Sequence, residues 1–208
     1  MGRSNGGWNG CTQRNGIWSI VSLPSGKKPV GCKWIFNLKH RADGTIDRYK
    51  ARLVAKGYTQ SFGIDYQETF ALVAKMNNLR VLLSLAANFG WPLKQFDVKN
   101  TFLHGDLEEE VYMQLPPGFN CPQSSGKVCR LRKALYGLKQ SPRAWFGRFT
   151  EAMKRIGYHQ GNSDHTLFIK RKNERVTLLI IYVDDMIVTG DEADKIKRLQ
   201  EFCPLNSK

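Results

Sequence analysis

No stretch of this sequence is apolar for long enough to span a bilayer. The longest such run, Leu178 to Val183, is far short of the ~20 residues a membrane helix needs. The opening residues are rich in Gly and Asn and lack the apolar core of a signal peptide, and Gly6 stands where a myristoylation signal wants Ser or Thr. Cysteine is sparse and odd in number (Cys11, Cys32, Cys121, Cys129, Cys203), with no C-x-x-C pair. That argues against a disulfide framework or a zinc ribbon and fits a reducing compartment. The four histidines, His40, His104, His159 and His165, show no ligand spacing, and no internal repeat is visible. Acidic residues are scarce: 18 Asp and Glu face 32 Lys and Arg, a formal charge of +14. Such an excess favours a polyanionic partner, nucleic acid before an anionic membrane surface. The basic residues are dispersed, which suggests a folded basic surface more than a disordered arm. With 208 residues and 41% hydrophobic content, the chain can bury a core as one domain or two small ones. It reads as a soluble intracellular protein.

What is present is a mixture of strand and helix patterns. The first seventeen residues, five of them Gly, predict loop or disorder. Residues 31–40 and 45–57 flank "RADG", an Asp-Gly turn signal, and predict a β-hairpin. In its second arm Tyr49, Ala51, Leu53 and Ala55 share one face, and Lys50, Arg52 and Lys56 the other. That basic face is a candidate phosphate contact, the plainer alternative being a solvated outer face. Residues 77–92 predict a helix with an Asn cap, a stripe of Leu79, Leu82, Leu83 and Ala86, and a stop at Gly90 and Pro92. "PLKQFDV" predicts a strand ending at Asp97, residues 108–116 another, and 116–126 a loop. Residues 141–157 predict a helix with Pro142 in its first turn and Trp145, Phe149, Ala152, Met153 and Ile156 at helical spacing. Strands follow in "HTLFIK", "RVTLLIIYV" and "MIVTG", then a helix over 191–203 capped by Asp191. Strands and helices mix without regular alternation, which predicts an α+β fold.

The stretch "LLIIYVDDMIVTG" (178–190) sets two adjacent carboxylates, Asp184 and Asp185, inside an apolar run. At a tight turn both can converge on one space, where they repel unless a divalent cation lies beside them. Oxygen ligands suit Mg²⁺ or Mn²⁺, which typically share one or two carboxylates with substrate phosphates. Asp97, at the end of another strand, is the best-placed third ligand. The plainer alternatives are an exposed turn for the pair and a helix cap for Asp97.

The text "GCKWIFNLK", "RYKARLVAKGYTQ", "GIDYQETF", "FDVKNTFLHGDLEEEVYMQLPPGF", "LRKALYGLKQSPRAWF" and "IIYVDDMIVTG" resembles, in matching order, the reverse transcriptase of copia-type LTR retrotransposons. The resemblance implies the fingers and palm of a right-handed polymerase, the palm an antiparallel sheet backed by helices. It divides a domain over 18–208 into fingers (about 18–75 and 107–140) and palm (about 76–106 and 141–208). It implies an RNA-directed DNA polymerase that adds dNTPs to a primer 3′-hydroxyl by two-metal nucleotidyl transfer. Asp97, Asp184 and Asp185 match its catalytic residues, and together with Val98 they match its metal ligands, for two Mg²⁺ or Mn²⁺ ions. Phe102 matches the aromatic that crowds the sugar 2′-position. From spacing alone it reads as a core residue. Lys50, Arg52 and Gly137 match nucleotide contacts. Tyr182, Val183, Gln140 and Arg143 match the primer and template region. The partners implied are a primed RNA or DNA template and dNTPs, in the cytoplasm and, for a complete element, in a virus-like particle.

Some of the text departs from that family. Residues 1–17 do not resemble what precedes the domain, and Leu72 and Thr101 stand where the family usually has Pro and Ala. Thr101 lies between the metal ligand and the sugar gate, so its extra volume is expected to disturb nucleotide placement. The text stops soon after the YVDD hairpin, without final palm strands, thumb or RNase H, and without protease or integrase upstream. The expectation is a truncated copy. A remnant that binds nucleic acid by charge alone is the alternative. A phospho-acceptor domain would need a parallel α/β alternation that the sequence lacks.

Overall fold

The computed structural model describes residues 16–119, 126–192, 196, 197, 199, 205 and 206. The expectation for residues 1–15 therefore falls outside the described residues. The chain divides into two compact units, residues 1–69 with 102–145 and residues 70–101 with 146–208. The architecture is mixed, combining antiparallel sheets with α-helices.

In the first unit, β1 (Trp18–Ser22), β6 (Lys127–Leu131) and β5 (Tyr112–Met113) form a sheet in the order β1-β6-β5. The hairpin of β2 (Cys32–His40) and β3 (Ile46–Ala55) stands as its own two-stranded sheet. Its turn follows the Asp-Gly signal: Asp43 accepts the Thr45 N–H and hydroxyl, and Gly44 takes φ 83°. The two-residue period sorts β3 as expected near its base. Ala51, Leu53 and Ala55 are buried beside Cys32, Val30 and Met113 in one apolar cluster, while Tyr49 is exposed. The strand expected over 108–116 shortens to β5. Only Tyr112 and Met113 pair in register with β6, and on the strand's other edge Tyr112 O accepts the Val30 N–H and the Gln114 N–H donates to Val30 O. Glu110, outside the strand, pairs with Arg130. Burial pushes the Cys32 thiol up to about 11, partly offset by Lys56, and burial with Cys32 nearby pushes Cys129 to about 12. Both are inert core residues near neutral pH.

Close backbone contact ties the hairpin's base to the 136–140 segment. The Ala55 N–H donates to Tyr136 O at 2.7 Å, and Gly137 sits at φ 92°. A Cβ on Gly137 would lie 2.1 Å from Ala55 O, and one on Gly57 would lie 2.0 Å from Gly137 O. Both positions require glycine for space, and Gly137 for conformation also.

In the second unit six strands lie in the order β11-β4-β10-β9-β8-β7. These are β4 (Leu93–Val98), β7 (His159–Gln160), β8 (Leu167–Lys172), β9 (Arg175–Tyr182), β10 (Asp185–Gly190) and β11 (Leu205–Asn206). Ile180 and Ile187 turn toward helix α1 (Met76–Phe89), while Leu179, Ile181, Met186 and Val188 are fully buried through the other face. On that face Phe168 meets Phe149 edge-on, from helix α2 (Ser141–Arg155). On α1 the buried stripe is Leu82 and Ala86, with Leu79 and Leu85 beside them. Leu83 is 39% exposed, against expectation. Gly90 ends α1 in the left-handed conformation, as its position predicts. The expected Asn cap is absent. Lys75 holds the N-cap without a side-chain bond, and Asn78 donates to Asp164 instead. Of the helix expected over 191–203, only parts lie within the described residues, and the Asp191 carboxylate accepts the Val176 N–H.

Asp164 anchors the start of α1 from a distant loop. Its Oδ2 accepts Asn78 Nδ2 at 2.7 Å and the Lys75 N–H at 3.2 Å. Its Oδ1 accepts the Thr166 hydroxyl at 2.6 Å and N–H at 2.9 Å. Burial alone would raise its pKa, but the Thr166, Asn78 and Lys75 donors outweigh burial and hold it below the ordinary value. Asp164→Ala is expected to cost about 2 to 3 kcal/mol in denaturant unfolding, since bonds to a charged acceptor are lost. Because the folded pKa is depressed, this stability is present above the unfolded value of about 3.9 and is lost as pH falls through the folded one. The gap between wild type and Asp164→Asn should narrow below about pH 4. Gly137→Ala should destabilise by about 3 kcal/mol or more, read as a lowered denaturant midpoint.

Candidate active site

Antiparallel register brings the acidic residues to one end of the second unit's sheet. β9 and β10 form a hairpin in which Tyr182 pairs with Asp185, leaving Val183 and Asp184 as the turn. Val183 has φ 57°, whereas Asp184 keeps an ordinary negative φ, the pattern of a type II′ turn. A β-branched residue in that conformation stores of order 1–3 kcal/mol, which the surroundings must over-determine. Part of the restraint is visible: the Val98 N–H donates to Asp184 O at 2.8 Å. The same bond identifies the neighbouring cross-strand pair. β10 runs beside β4 with Asp185 opposite Asp97. A bond from the residue after Asp97 to the residue before Asp185 marks these two as a non-hydrogen-bonded pair, in which side chains approach most closely.

Asp97 and Asp185 therefore face each other on one side of the sheet, with Asp184 in the adjoining turn, all half-buried. Carboxylates directly opposed in this way are destabilising. The acids are close in the fold but not gathered round a common point: among the described residues no group of three His, Cys, Asp or Glu is arranged to hold a metal. Asp185 instead accepts Gln95 Nε2 at 3.0 Å on Oδ1. As a donor set, three carboxylates suit a hard divalent cation. The Val98 carbonyl accepts the hydroxyl of fully buried Thr101 at 2.6 Å, so the extra volume at that position is used inside the fold. Tyr182 and Val183 are exposed at the hairpin end, at 54% and 41%.

The remaining candidates lie in or next to the first unit. Phe102 meets the Tyr136 ring edge-on with centroids 4.6 Å apart, and the Arg52 guanidinium lies 5.7 Å from the centre of that same ring. Tyr136 thus holds two expected nucleotide contacts, and the sequence reading missed it. Its position directly before Gly137 in "YGLKQSP" was the available signal. Lys50 and Arg52 are half-buried on the basic face of β3. Gln140 is buried, accepting Gln60 Nε2 and donating to Asp65 O. Lys139 joins the same network through Gln60 and the Tyr66 hydroxyl. Gln140 is accordingly occupied in tying residues 60–66 to the start of α2. Arg143 is exposed on that helix's first turn. The loop residue Leu72 is half-buried. Among the described residues no helix is long and apolar enough to cross a membrane.

Comparison with known proteins gives this geometry a context. The family model described as reverse transcriptase (RNA-dependent DNA polymerase) matches residues 15–205. A retrovirus-related Pol polyprotein from transposon TNT 1-94 of Nicotiana tabacum is 47% identical over 90% of this chain and 14% of that polyprotein. The corresponding polyprotein from transposon RE1 of Arabidopsis thaliana is 46% identical over 86% of this chain and 12% of its own length. A Ty1 Gag-Pol polyprotein of Saccharomyces cerevisiae is 32% identical over 83% of this chain and 9% of its own. The chain thus spans a small part of each relative. Matched by the family model along nearly all its length, it belongs to the reverse transcriptase family, in the form found in the Pol polyproteins of copia-type retrotransposons.

Proposed function

We propose that this chain carries out RNA-directed DNA synthesis, adding dNTPs to a primer 3′-hydroxyl with Asp97, Asp184 and Asp185 as the catalytic acids. The observation that supports it is the narrow cross-strand pair of Asp97 and Asp185 beside the strained Val183-Asp184 turn. Like charge held so close has a use when a cation shares it. The three carboxylates, with the Val98 carbonyl, would hold Mg²⁺ or Mn²⁺, as two ions. Bound there, such ions would acidify the primer hydroxyl and neutralise charge on the leaving pyrophosphate.

The other roles belong to the same proposal. Lys50 and Arg52 offer cationic contacts to the triphosphate. Phe102, braced by Tyr136, excludes a ribose 2′-hydroxyl, and Gly137 presents bare backbone to the nucleotide. Tyr182 and Val183 give the primer end an apolar surface, and Arg143 a phosphate contact. Gln140 serves that region by fixing the 60–66 segment. In this reading the first unit would be the fingers and the second the palm of a right-handed polymerase. The working partners are a primed template and dNTPs, in the cytoplasm and inside a particle in a complete element. One observation favours a second reading, a remnant that binds nucleic acid by charge alone: the acids are not gathered into a cation site among the described residues.

Primer extension on an RNA template with Mg²⁺ or Mn²⁺ separates the two readings. Extension is expected, and Asp97→Asn, Asp184→Asn, Asp185→Asn or a chelator should each reduce it by at least about 100-fold. Retention of salt-sensitive binding by a folded protein that never extends the primer would select the remnant. Phe102→Ala should lower the preference for dNTP over rNTP by about tenfold or more, measured as a ratio of kcat/KM values.

A further inference from the structure

A polar residue close to the acids in register, and unused in the roles above, is Gln95. Strand alternation puts Leu93, Gln95 and Asp97 on one face of β4, with Lys94 on the other. β10 runs alongside with Asp185 opposite Asp97 and Ile187 opposite Gln95. Gln95 is therefore the diagonal neighbour of Asp185, at a separation that long side chains span. It does span it, with Nε2 donating to Asp185 Oδ1 at 3.0 Å. The plainer account of Gln95 is a polar residue on an exposed strand surface; what sets it apart is that its partner is the carboxylate opposing Asp97.

We propose that Gln95 is a positioning residue that fixes the Asp185 carboxylate for cation binding, an inference that rests on reading Asp97, Asp184 and Asp185 as the cation ligands. The chemistry of the donor fits this task. An amide is neutral, so it orients the carboxylate without cancelling the charge a cation needs. A lysine, common in this chain, would occupy the cation's electrostatic place. The bond takes one oxygen and leaves Oδ2 available to a metal. Hydrogen bonds of this kind to ligating carboxylates set ligand orientation, and their loss typically weakens metal affinity 10–100-fold. Among the described residues, Asp185 alone of the three acids has its carboxylate held by a hydrogen bond.

The test is Mn²⁺ titration of the full chain, followed by the electron paramagnetic resonance signal of free Mn²⁺. Gln95→Leu keeps the size without the donor, and Gln95→Thr keeps strand propensity without the reach. Asp185→Asn serves as the reference, and metal-free thermal unfolding checks integrity. Weakening of the Asp185-dependent Mn²⁺ affinity by about 10- to 100-fold in both variants, with the unfolding midpoint unchanged, is the expected result. Should one variant fail to fold, the other decides. Affinity that is unchanged or tighter, while Asp185→Asn still loses it, overturns the role of Gln95 and leaves the acids as ligands. Absence of any Mn²⁺ binding sensitive to Asp185→Asn overturns the ligand reading and this inference together.

Discussion

Electrostatic repulsion between carboxylates held at one end of a sheet is the constraint on which the second unit's organisation turns. Antiparallel pairing sets Asp97 against Asp185 at the narrow position of the ladder, and the hairpin turn adds Asp184. A folded chain tolerates this only where the rest of the sheet is strongly determined. Here Phe96, Met186 and Val188 are buried below the acids on the opposite face, and α1 covers Ile180 and Ile187 further along. The apolar flanks therefore do more than surround the acids. Their alternation fixes the register, and a slip by one residue would send every buried side chain to the wrong face.

The first unit solves a different problem, the meeting of two backbones. Gly57 and Gly137 allow the segments carrying them to touch, and Gln60, Gln140 and Lys139 satisfy the polar groups thereby buried. Tyr136, next to one of these glycines, accepts the Ala55 N–H on its carbonyl and braces both Phe102 and Arg52. Aromatic and cation–π contacts each contribute about 1 kcal/mol. Their value here lies in restricting two side chains at once. Gln140 shows how a motif residue can act by holding a loop rather than by touching a ligand.

Much of this was legible beforehand. The Asp-Gly turn, the alternation along β3 and the 3.6-residue spacing in α2 are local signals, so the sequence alone placed those elements well. Gly90 ended α1 for the same reason. The failures were all non-local. Asn77 looked like a cap, but the acceptor at the helix start came from Asp164, far along the chain. Residues 108–116 had strand character, yet only two of them keep register with β6. Leu83 fitted a helical stripe and remained partly exposed because the covered face was rotated toward Leu85.

By itself the sequence determined the family, through long blocks in a fixed order, and it nominated Asp97, Asp184 and Asp185 for the chemistry. Carboxylates flanked by apolar strands have few physical uses. Only the tertiary structure decided how those residues stand to one another: that Asp185 faces Asp97, that Gln95 bonds Asp185, that Tyr136 braces Phe102, and that Thr101 is used to hold Val98. The physical reason is range. Propensity and periodicity act over a few residues, whereas register joins positions more than a hundred residues apart, as with Trp18 and Leu131, and side-chain hydrogen bonds join positions ninety or more apart, and no local pattern specifies them.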